Sequence, residues 1–209
     1  MATVNASLCE GRLPVSQKKS SSDVHDLKKY RPISNLSFVS KLVERAAVKQ
    51  LVDYLEVSEF MPKLQSACRK HHSTETAVLR VLSDILTAMD NQQVTLLALL
   101  DLSAVFDCVD HDILLSRLQS SFGLGGITVT WIQSFLTDRS QHVLFNGSLS
   151  IEIMLLFGVS QGSVLGPLLF LLYAAQIFDT IASFGLFGHT YADDSQLYIS
   201  SACRHPNRR

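Results

Sequence analysis

The sequence predicts an α+β fold in which an antiparallel sheet packs on helices. Two long segments, 39–55 and 74–89, carry apolar residues at helical spacing. Shorter β-prone segments lie between and after them, and Asn146 followed by Gly147 is the strongest short hairpin signal in the chain. Because strands interleave with helices and hairpins join neighbouring strands, a layered structure with an antiparallel sheet is favoured over a doubly wound parallel one.

The first part of the chain contains a polar segment followed by a helix. Residues 1–27 are polar and rich in Ser and Lys, so we interpret them as a loose arm or loop, with ordered structure from about Tyr30. The segment 39–55 is predicted to be an amphipathic helix, because charged residues lie between its apolar positions. Ser37 or Ser40 would cap its start.

The apolar run over 94–100 ends at Asp101 and is predicted to be a strand. Its length and position suggest burial on both faces, although a run this short does not exclude a helix. The other predicted elements are helices over 111–121, 131–136 and from Pro167 to about 178, and strands over 141–145, 149–157, 190–191 and 196–199.

Composition and charge place the chain among globular proteins. It has 209 residues, of which 47% are hydrophobic and 18% are charged, and these values suit one domain or two small subdomains. The formal net charge is −1, so the whole chain exerts no attraction on phosphate backbones. A nucleic-acid surface would have to be built from local clusters of Lys and Arg, which otherwise are solvated faces.

Cysteine usage and the N-terminus indicate an intracellular protein. The four cysteines are scattered and lack metal-ligand spacing, and the N-terminus lacks the charged start and apolar run of a secretory signal. The apolar stretch 164–178 is shorter than the roughly 20 residues that a bilayer span needs, so we predict a buried helix there. We expect a cytoplasmic or nuclear protein that is not secreted and does not bind a membrane.

Three aspartates stand out by their context. Asp101 ends an apolar strand, and Asp193 and Asp194 stand together in a predicted turn between two short strands. Adjacent carboxylates repel each other unless a cation lies between them, and Mg²⁺ prefers one or two carboxylates together with substrate phosphates and water. Taken alone, each element also fits a solvent-exposed turn or a charge at a helix N-terminus.

Four motifs occur in order along the chain: YRPISNL at 30–36, DLSAVFD at 101–107, GVSQGSVLGP at 158–167 and YADD at 191–194. Together they resemble the reverse transcriptases of non-LTR (LINE-type) retrotransposons, and the resemblance extends over 28–199. It implies a polymerase palm with partial fingers and without a thumb or a primer grip. The segment 200–209 does not match and is interpreted as a polar tail.

The resemblance implies roles for particular residues. Asp101, Asp193 and Asp194 would be the catalytic ligands of two Mg²⁺ ions, with Mn²⁺ as an alternative, and Asp193 would be the closer ligand of the adjacent pair. The other assignments concern the nucleotide and the template: Phe106 under the sugar, Gln161 and Gly162 against the incoming nucleotide, and Arg69 and Arg31 in the fingers. A ring at Phe106 would exclude a ribose 2′-hydroxyl by overlap, although Phe106 also fits an ordinary core position, and either Arg also fits a surface ion pair.

Some positions depart from the family pattern. Val105 stands where the family usually has Ala, Ser160 replaces the usual Pro of the Gln-Gly loop, and Ala67 with Cys68 replaces Gly-Phe. None of these changes removes a predicted metal ligand. Four histidines lack ligand spacing and are predicted to be structural: His71, His72, His111 and His189.

The predicted function is that of an RNA-directed DNA polymerase domain, a fragment that transfers nucleotides to a primer 3′-hydroxyl. Its partners would be an RNA template, a DNA primer and deoxynucleoside triphosphates, while the sequence leaves the oligomeric state open. One alternative is a catalytically inactive remnant that binds nucleic acid weakly. Another is a palm polymerase that makes RNA, against which the ring of Phe106 argues.

Overall fold

The computed structural model describes residues 11–17, 30–32, 34–101, 105–145 and 148–202. Their elements are, in order, β1 (Gly11–Gln17), β2 (Tyr30–Pro32), α1 (Phe38–Val57), α2 (Thr74–Asp90), β3 (Gln93–Asp101), a 3₁₀ turn (Val105–Cys108), α3 (His111–Ser120), α4 (Gly126–Leu136), β4 (Arg139–Phe145), β5 (Ser148–Leu149), β6 (Ile153–Leu155), α5 (Gly166–Ala174), α6 (Ile177–Ser183), β7 (Phe187–Tyr191) and β8 (Asp194–Ala202). The chain divides into two compact units: Met1–Phe60 with Val105–Tyr173, and Met61–Ala104 with Ala174–Arg209.

Serine side chains cap both long helices, and Ser37 was one of the two caps predicted for the first. The hydroxyl oxygen of Ser37 accepts a hydrogen bond from the N–H of Ser40 at 3.1 Å and caps α1. Ser73 caps α2 in a capping box: its hydroxyl accepts from the Thr76 amide, and the Thr76 hydroxyl accepts from the Ser73 amide. These contacts satisfy N–H groups that have no partner within a helix. Both predicted helices are confirmed, and each end lies within two residues of its expected position.

The sheet of the first unit has the order β2-β1-β4-β5, and β6 also pairs with β4. Its pairs are antiparallel except for β1 with β4, which run parallel. The predicted hairpin strands are confirmed, since Phe145 lies opposite Ser148. The expected strand over 149–157 is interrupted and consists of β5 and β6, and the turn residues Asn146 and Gly147 lie outside the described residues.

The loose arm expected at the N-terminus is wrong for residues 11–17, which form β1. The first half of β1 pairs with β4 and the second half pairs with β2. These partners are distant in sequence, so they override the polar local composition. The remainder of the expected arm lies outside the described residues. The polar tail was also placed too early, because β8 continues to Ala202.

The interior of the first unit contains the apolar helix α5, in which six of the nine residues are buried: Gly166, Leu168, Leu169, Phe170, Leu171 and Leu172. Residues 166–183 are long and apolar enough to span a membrane by length and composition. However, the structure divides this segment into α5 and α6, and the apolar side chains of α5 form protein core. The buried helix was therefore predicted correctly, but it ends four residues earlier than expected.

The second unit is built on the antiparallel sheet β3-β8-β7, with α2 packed against it. Tyr198 of β8 donates a hydrogen bond to the carboxylate of Asp84 on α2. Burial, and then this hydrogen bond, raise the pKa of the Tyr198 hydroxyl above its usual range. Arg80, one turn before Asp84, lies 3.5 Å from the same carboxylate. The Tyr198–Asp84 hydrogen bond attaches α2 to the central strand β8.

The prediction that β3 is buried on both faces is wrong. Its position as a strand is confirmed, but within the described residues it pairs only with β8 and forms an edge of the sheet. Leu96 and Leu99 keep 71% and 72% of their surface exposed. The apolar run gave the correct element and the wrong environment, because periodicity does not reveal how many neighbours a strand has.

Candidate active site

The three predicted catalytic aspartates lie at one end of the sheet of the second unit. In the antiparallel register of β3 and β8, Asp101 is directly opposite Asp194. In the β7–β8 hairpin, Tyr191 is opposite Asp194, so Ala192 and Asp193 form a two-residue turn. The strand end and the hairpin turn therefore bring together residues that are more than ninety positions apart in the sequence.

This register places like charges opposite each other. Directly opposed residues of an antiparallel pair project from the same face with Cβ atoms about 4.5–5.5 Å apart, and like charges there are destabilising. Within the described residues, no group of three His, Cys, Asp or Glu side chains is arranged to hold a metal ion by itself. The donors still fit Mg²⁺, because this ion is commonly bound by one or two carboxylates with substrate phosphates and water as its other ligands.

A polar cluster in the second unit includes His189 of β7 and is centred on the buried hydroxyl of Ser66. The hydroxyl of Ser66 is 2.9 Å from Nε2 of His189 and 3.1 Å from Nδ1 of His72. Burial lowers the pKa of the His189 imidazole, and the nearby charges of Arg80 and His72 lower it further. The neutral ring is therefore favoured at neutral pH. Both rings are hydrogen-bonded to Ser66, His189 in the interior and His72 at the surface, which agrees with the predicted structural role.

Phe106 lies in the 3₁₀ turn of the first unit and is half-buried. The centroid of its ring is 5.1 Å from that of Phe170 on α5. Its carbonyl oxygen accepts a hydrogen bond from the Val159 amide at 2.7 Å, which ties the turn to the loop that carries Gln161. The ring thus packs against α5, and its role under the sugar stays a prediction.

Gln161 and Gly162 lie in the loop before α5. The carbonyl oxygen of Gln161 accepts a hydrogen bond from the Ser34 amide at 2.7 Å. Gly162 has a φ of 107°, a conformation that is unfavourable for residues with a side chain. Gln161 also lines a cavity of about 180 Å³ together with Asp107 and Arg139. Burial raises the pKa of the Asp107 carboxyl above its usual range.

Ser160, where the family usually has Pro, has a specific partner. The guanidinium of Arg139 donates a hydrogen bond to the Ser160 hydroxyl, and both residues are buried. The same guanidinium lies over the ring of Phe135, 5.8 Å from its centroid. A side-chain hydrogen bond therefore replaces some of the rigidity that proline would give this loop.

Glu44 is a buried charged residue that sequence reasoning missed, with only 1% of its surface exposed. One carboxylate oxygen accepts hydrogen bonds from the Ser163 hydroxyl at 2.7 Å and from the amides of Val164 and Leu165 at 2.7 and 3.1 Å. The other accepts from the Ser40 hydroxyl at 3.0 Å. Glu44 thus satisfies the amides at the start of α5, directly after the Gln-Gly loop.

Arg69 and Arg31 are the two arginines that were predicted to lie in the fingers. The guanidinium of Arg69 donates to the carbonyl oxygens of Pro62 and Lys63 at 3.2 and 3.5 Å, so it braces its own loop. Arg31 lies in β2 with its backbone opposite Ser16, and its side chain lies outside the described part of the chain. Contacts of either residue with template or triphosphate stay predictions.

Solved structures of telomerase share this fold. The apo telomerase of Candida tropicalis, truncated from its C-terminal domain, matches 95% of this chain and 45% of its own, with a TM-score of 0.63 and 13% sequence identity. At this identity the likeness concerns the fold alone. It confirms the predicted α+β class and the polymerase-palm architecture.

The chain belongs to the reverse transcriptase (RNA-dependent DNA polymerase) family, whose model matches residues 16–208. It is 36% identical over 179 residues to a probable RNA-directed DNA polymerase from transposon BS of Drosophila melanogaster, covering 83% of this chain and 20% of that protein. The polymerase from the mobile element jockey of the same species is 33% identical over 181 residues, with 84% and 20% covered. The predicted resemblance to non-LTR retrotransposon reverse transcriptases is confirmed, and the chain spans about a fifth of the length of these relatives.

Proposed function

We propose that this chain carries the catalytic carboxylates of an RNA-directed DNA polymerase that joins nucleotides to a primer 3′-hydroxyl on an RNA template. The observation that carries the proposal is the register of β3 and β8, which sets Asp101 directly opposite Asp194 beside the turn that bears Asp193. Opposed carboxylates destabilise the apo sheet, and a divalent cation relieves their repulsion. Membership in the reverse transcriptase family supports this interpretation.

In the second unit, Asp101, Asp193 and Asp194 would hold two Mg²⁺ ions, or Mn²⁺ in their place. When bound, such ions lower the pKa of an attacking hydroxyl and neutralise charge on a leaving pyrophosphate. Asp101 and Asp194 would hold the ions from two paired strands, and Asp193 would hold them from the adjoining turn. A carboxylate site built on strands is more rigid than one built on a mobile loop.

In the first unit, Phe106 would contact the sugar, and Gln161 with Gly162 would contact the incoming deoxynucleotide. The ring of Phe106 is supported by Phe170, so it would exclude a 2′-hydroxyl by overlap rather than by a hydrogen bond. The amide of Gln161 can both donate and accept. Arg69 and Arg31 would contact template or triphosphate, because a guanidinium matches phosphate oxygens. We expect the protein to act in the cytoplasm or the nucleus.

Primer extension on an RNA template, with Mg²⁺ and deoxynucleotides, tests this function. The unaltered chain is expected to extend the primer, and Asp193→Asn is expected to reduce the rate by about 100-fold or more, because the variant loses a charge that stabilises the transition state. Asp112→Asn, which changes an exposed carboxylate in the first turn of α3, should leave the rate unchanged. Equal extension by the wild type and Asp193→Asn would contradict the proposal. Salt-dependent RNA binding without extension by any variant would favour a non-catalytic remnant.

A further inference from the structure

The turn that carries Asp193 has an unfavourable backbone conformation. Ala192, which immediately precedes Asp193, has a φ of 56°. Residues with a Cβ rarely adopt this left-handed region, and they remain there only where surrounding contacts fix them. Ala192 and Asp193 are the two residues of this turn, so the backbone conformation at Ala192 sets the direction in which the chain enters Asp193. Its supporting contacts therefore decide the orientation of the carboxylate.

Those contacts come from Gln65, a buried residue with 4% of its surface exposed. Its Oε1 accepts a hydrogen bond from the Ala192 amide at 3.0 Å, and its Nε2 donates to the Ala192 carbonyl oxygen at 3.3 Å. Oε1 also accepts from the Ala67 amide at 2.9 Å, which fixes the rotamer of the side chain. One primary amide thus holds the backbone on both sides of Ala192.

The backbone around Gln65 is itself attached to β7. The Thr190 amide donates to the Leu64 carbonyl oxygen at 2.8 Å, and the Ser66 amide donates to the Thr190 carbonyl oxygen at 3.0 Å. Gln65 also forms an isolated parallel bridge with Thr190. All these residues belong to the second unit. The amide of Gln65 is therefore presented to the turn by a segment that cannot shift independently of the hairpin.

We propose that Gln65 is a positioning residue for the metal site: its amide sets the orientation of the Asp193 carboxylate by holding Ala192 in the left-handed region. This inference rests on the proposed function, since it concerns the same carboxylates. Only a side chain that both donates and accepts can make the pair of contacts with Ala192. Glutamate would keep the acceptor and lose the donor, and methionine of similar length would lose both.

Mn²⁺ affinity, measured by electron paramagnetic resonance of the free ion, tests this role through Gln65→Met. The variant is expected to bind Mn²⁺ about tenfold more weakly than the wild type, because residues that orient a metal ligand typically have effects of this size. Hydrogen exchange of the Ala192 amide should also become faster. Gln133→Met, the same change at an exposed position of α4, should alter neither quantity. If Gln65→Met does not fold, Gln65→Glu replaces it: Mn²⁺ affinity should fall because the contact with the Ala192 carbonyl oxygen is lost, while exchange of the Ala192 amide should stay slow because the carboxylate still accepts from it.

A second substitution separates positioning from general stability. Glycine adopts a positive φ without strain, so Ala192→Gly introduced into Gln65→Met is expected to recover at least about threefold of the lost affinity. A purely structural Gln65 would give lower thermal stability with unchanged Mn²⁺ affinity and no recovery, which would overturn the inference. If the wild type binds Mn²⁺ and Gln65→Met binds it equally well, the inference alone is wrong. Absence of Mn²⁺ binding by the wild type would overturn the proposed function, and this inference with it.

Discussion

Glu44→Ala is expected to lower the free energy of unfolding of the first unit by about 3 to 4 kcal/mol. The alanine leaves the amides of Val164 and Leu165 and the Ser163 hydroxyl without their acceptor in a site that excludes water. An unsatisfied buried donor costs more than the net value of the hydrogen bond it loses. Trp131, the single tryptophan of the chain, lies in the first unit and reports its unfolding by fluorescence.

Two control variants separate the contributions of Glu44. Glu44→Gln keeps an oxygen for the three donors and offers its amide to the Ser40 hydroxyl, so it should cost only about 1 to 2 kcal/mol, the difference between charged and neutral acceptors. Ser40→Ala removes the outer hydrogen bond alone and should cost about 1 kcal/mol or less. A Glu44→Ala protein as stable as Ser40→Ala would show that the buried contacts do not support α5.

Gly158→Ala is expected to lower the free energy of unfolding of the first unit by about 3 kcal/mol, through two independent effects. Gly158 has a φ of +86°, which is unfavourable for alanine. In addition, an added Cβ would lie 2.8 Å from the Phe106 carbonyl oxygen and 3.0 Å from the Asp107 Cα. Both contacts are with backbone, so the substitution would push the 3₁₀ turn away from the Gln-Gly loop. Trp131 fluorescence during denaturant unfolding measures the loss.

Gly126→Ala is the matched control for this prediction. Gly126 lies in the same unit with a φ of +56°, and an added Cβ would meet nothing within 4 Å. Its substitution should cost about 1 to 2 kcal/mol, the conformational penalty alone. If the two alanine variants lose equal stability, the close approach of the loop to the 3₁₀ turn contributes nothing.

Most helices and strands were predictable because their signals are local, and the polymerase palm was predictable from the family resemblance that the four ordered motifs carry. Helix α2 shows apolar residues at helical spacing, and the YADD hairpin has β-prone segments on both sides of a turn. The ordered motifs then placed Asp101 at a strand end and Asp193 in a turn. The register itself, with Asp101 as the last residue of β3 opposite Asp194 as the first residue of β8, was not predicted, because the motifs placed Asp194 in the turn beside Asp193.

The supporting residues were not predictable, because their partners are distant in sequence. Glu44 stands in a helix whose apolar pattern placed it on the polar face, yet it is buried, while Val39 and Leu42 are exposed. Its partners in the loop before α5 are about 120 positions away. Gln65 likewise contacts Ala192 across 127 positions. Periodicity reports which face of an element is apolar, and it does not report which polar group enters the core.

Location of bound Mn²⁺ by nuclear magnetic resonance tests the central claim most directly, since this ion broadens the signals of nearby amides. Selective broadening is expected at the end of β3 and at the β7–β8 turn, with Asp101, Asp193 and Ser195 affected first. Asp101→Asn should abolish this pattern, whereas Asp112→Asn should preserve it. Broadening spread over unrelated acidic residues, or an unchanged pattern in Asp101→Asn, would contradict a metal site formed by the opposed carboxylates.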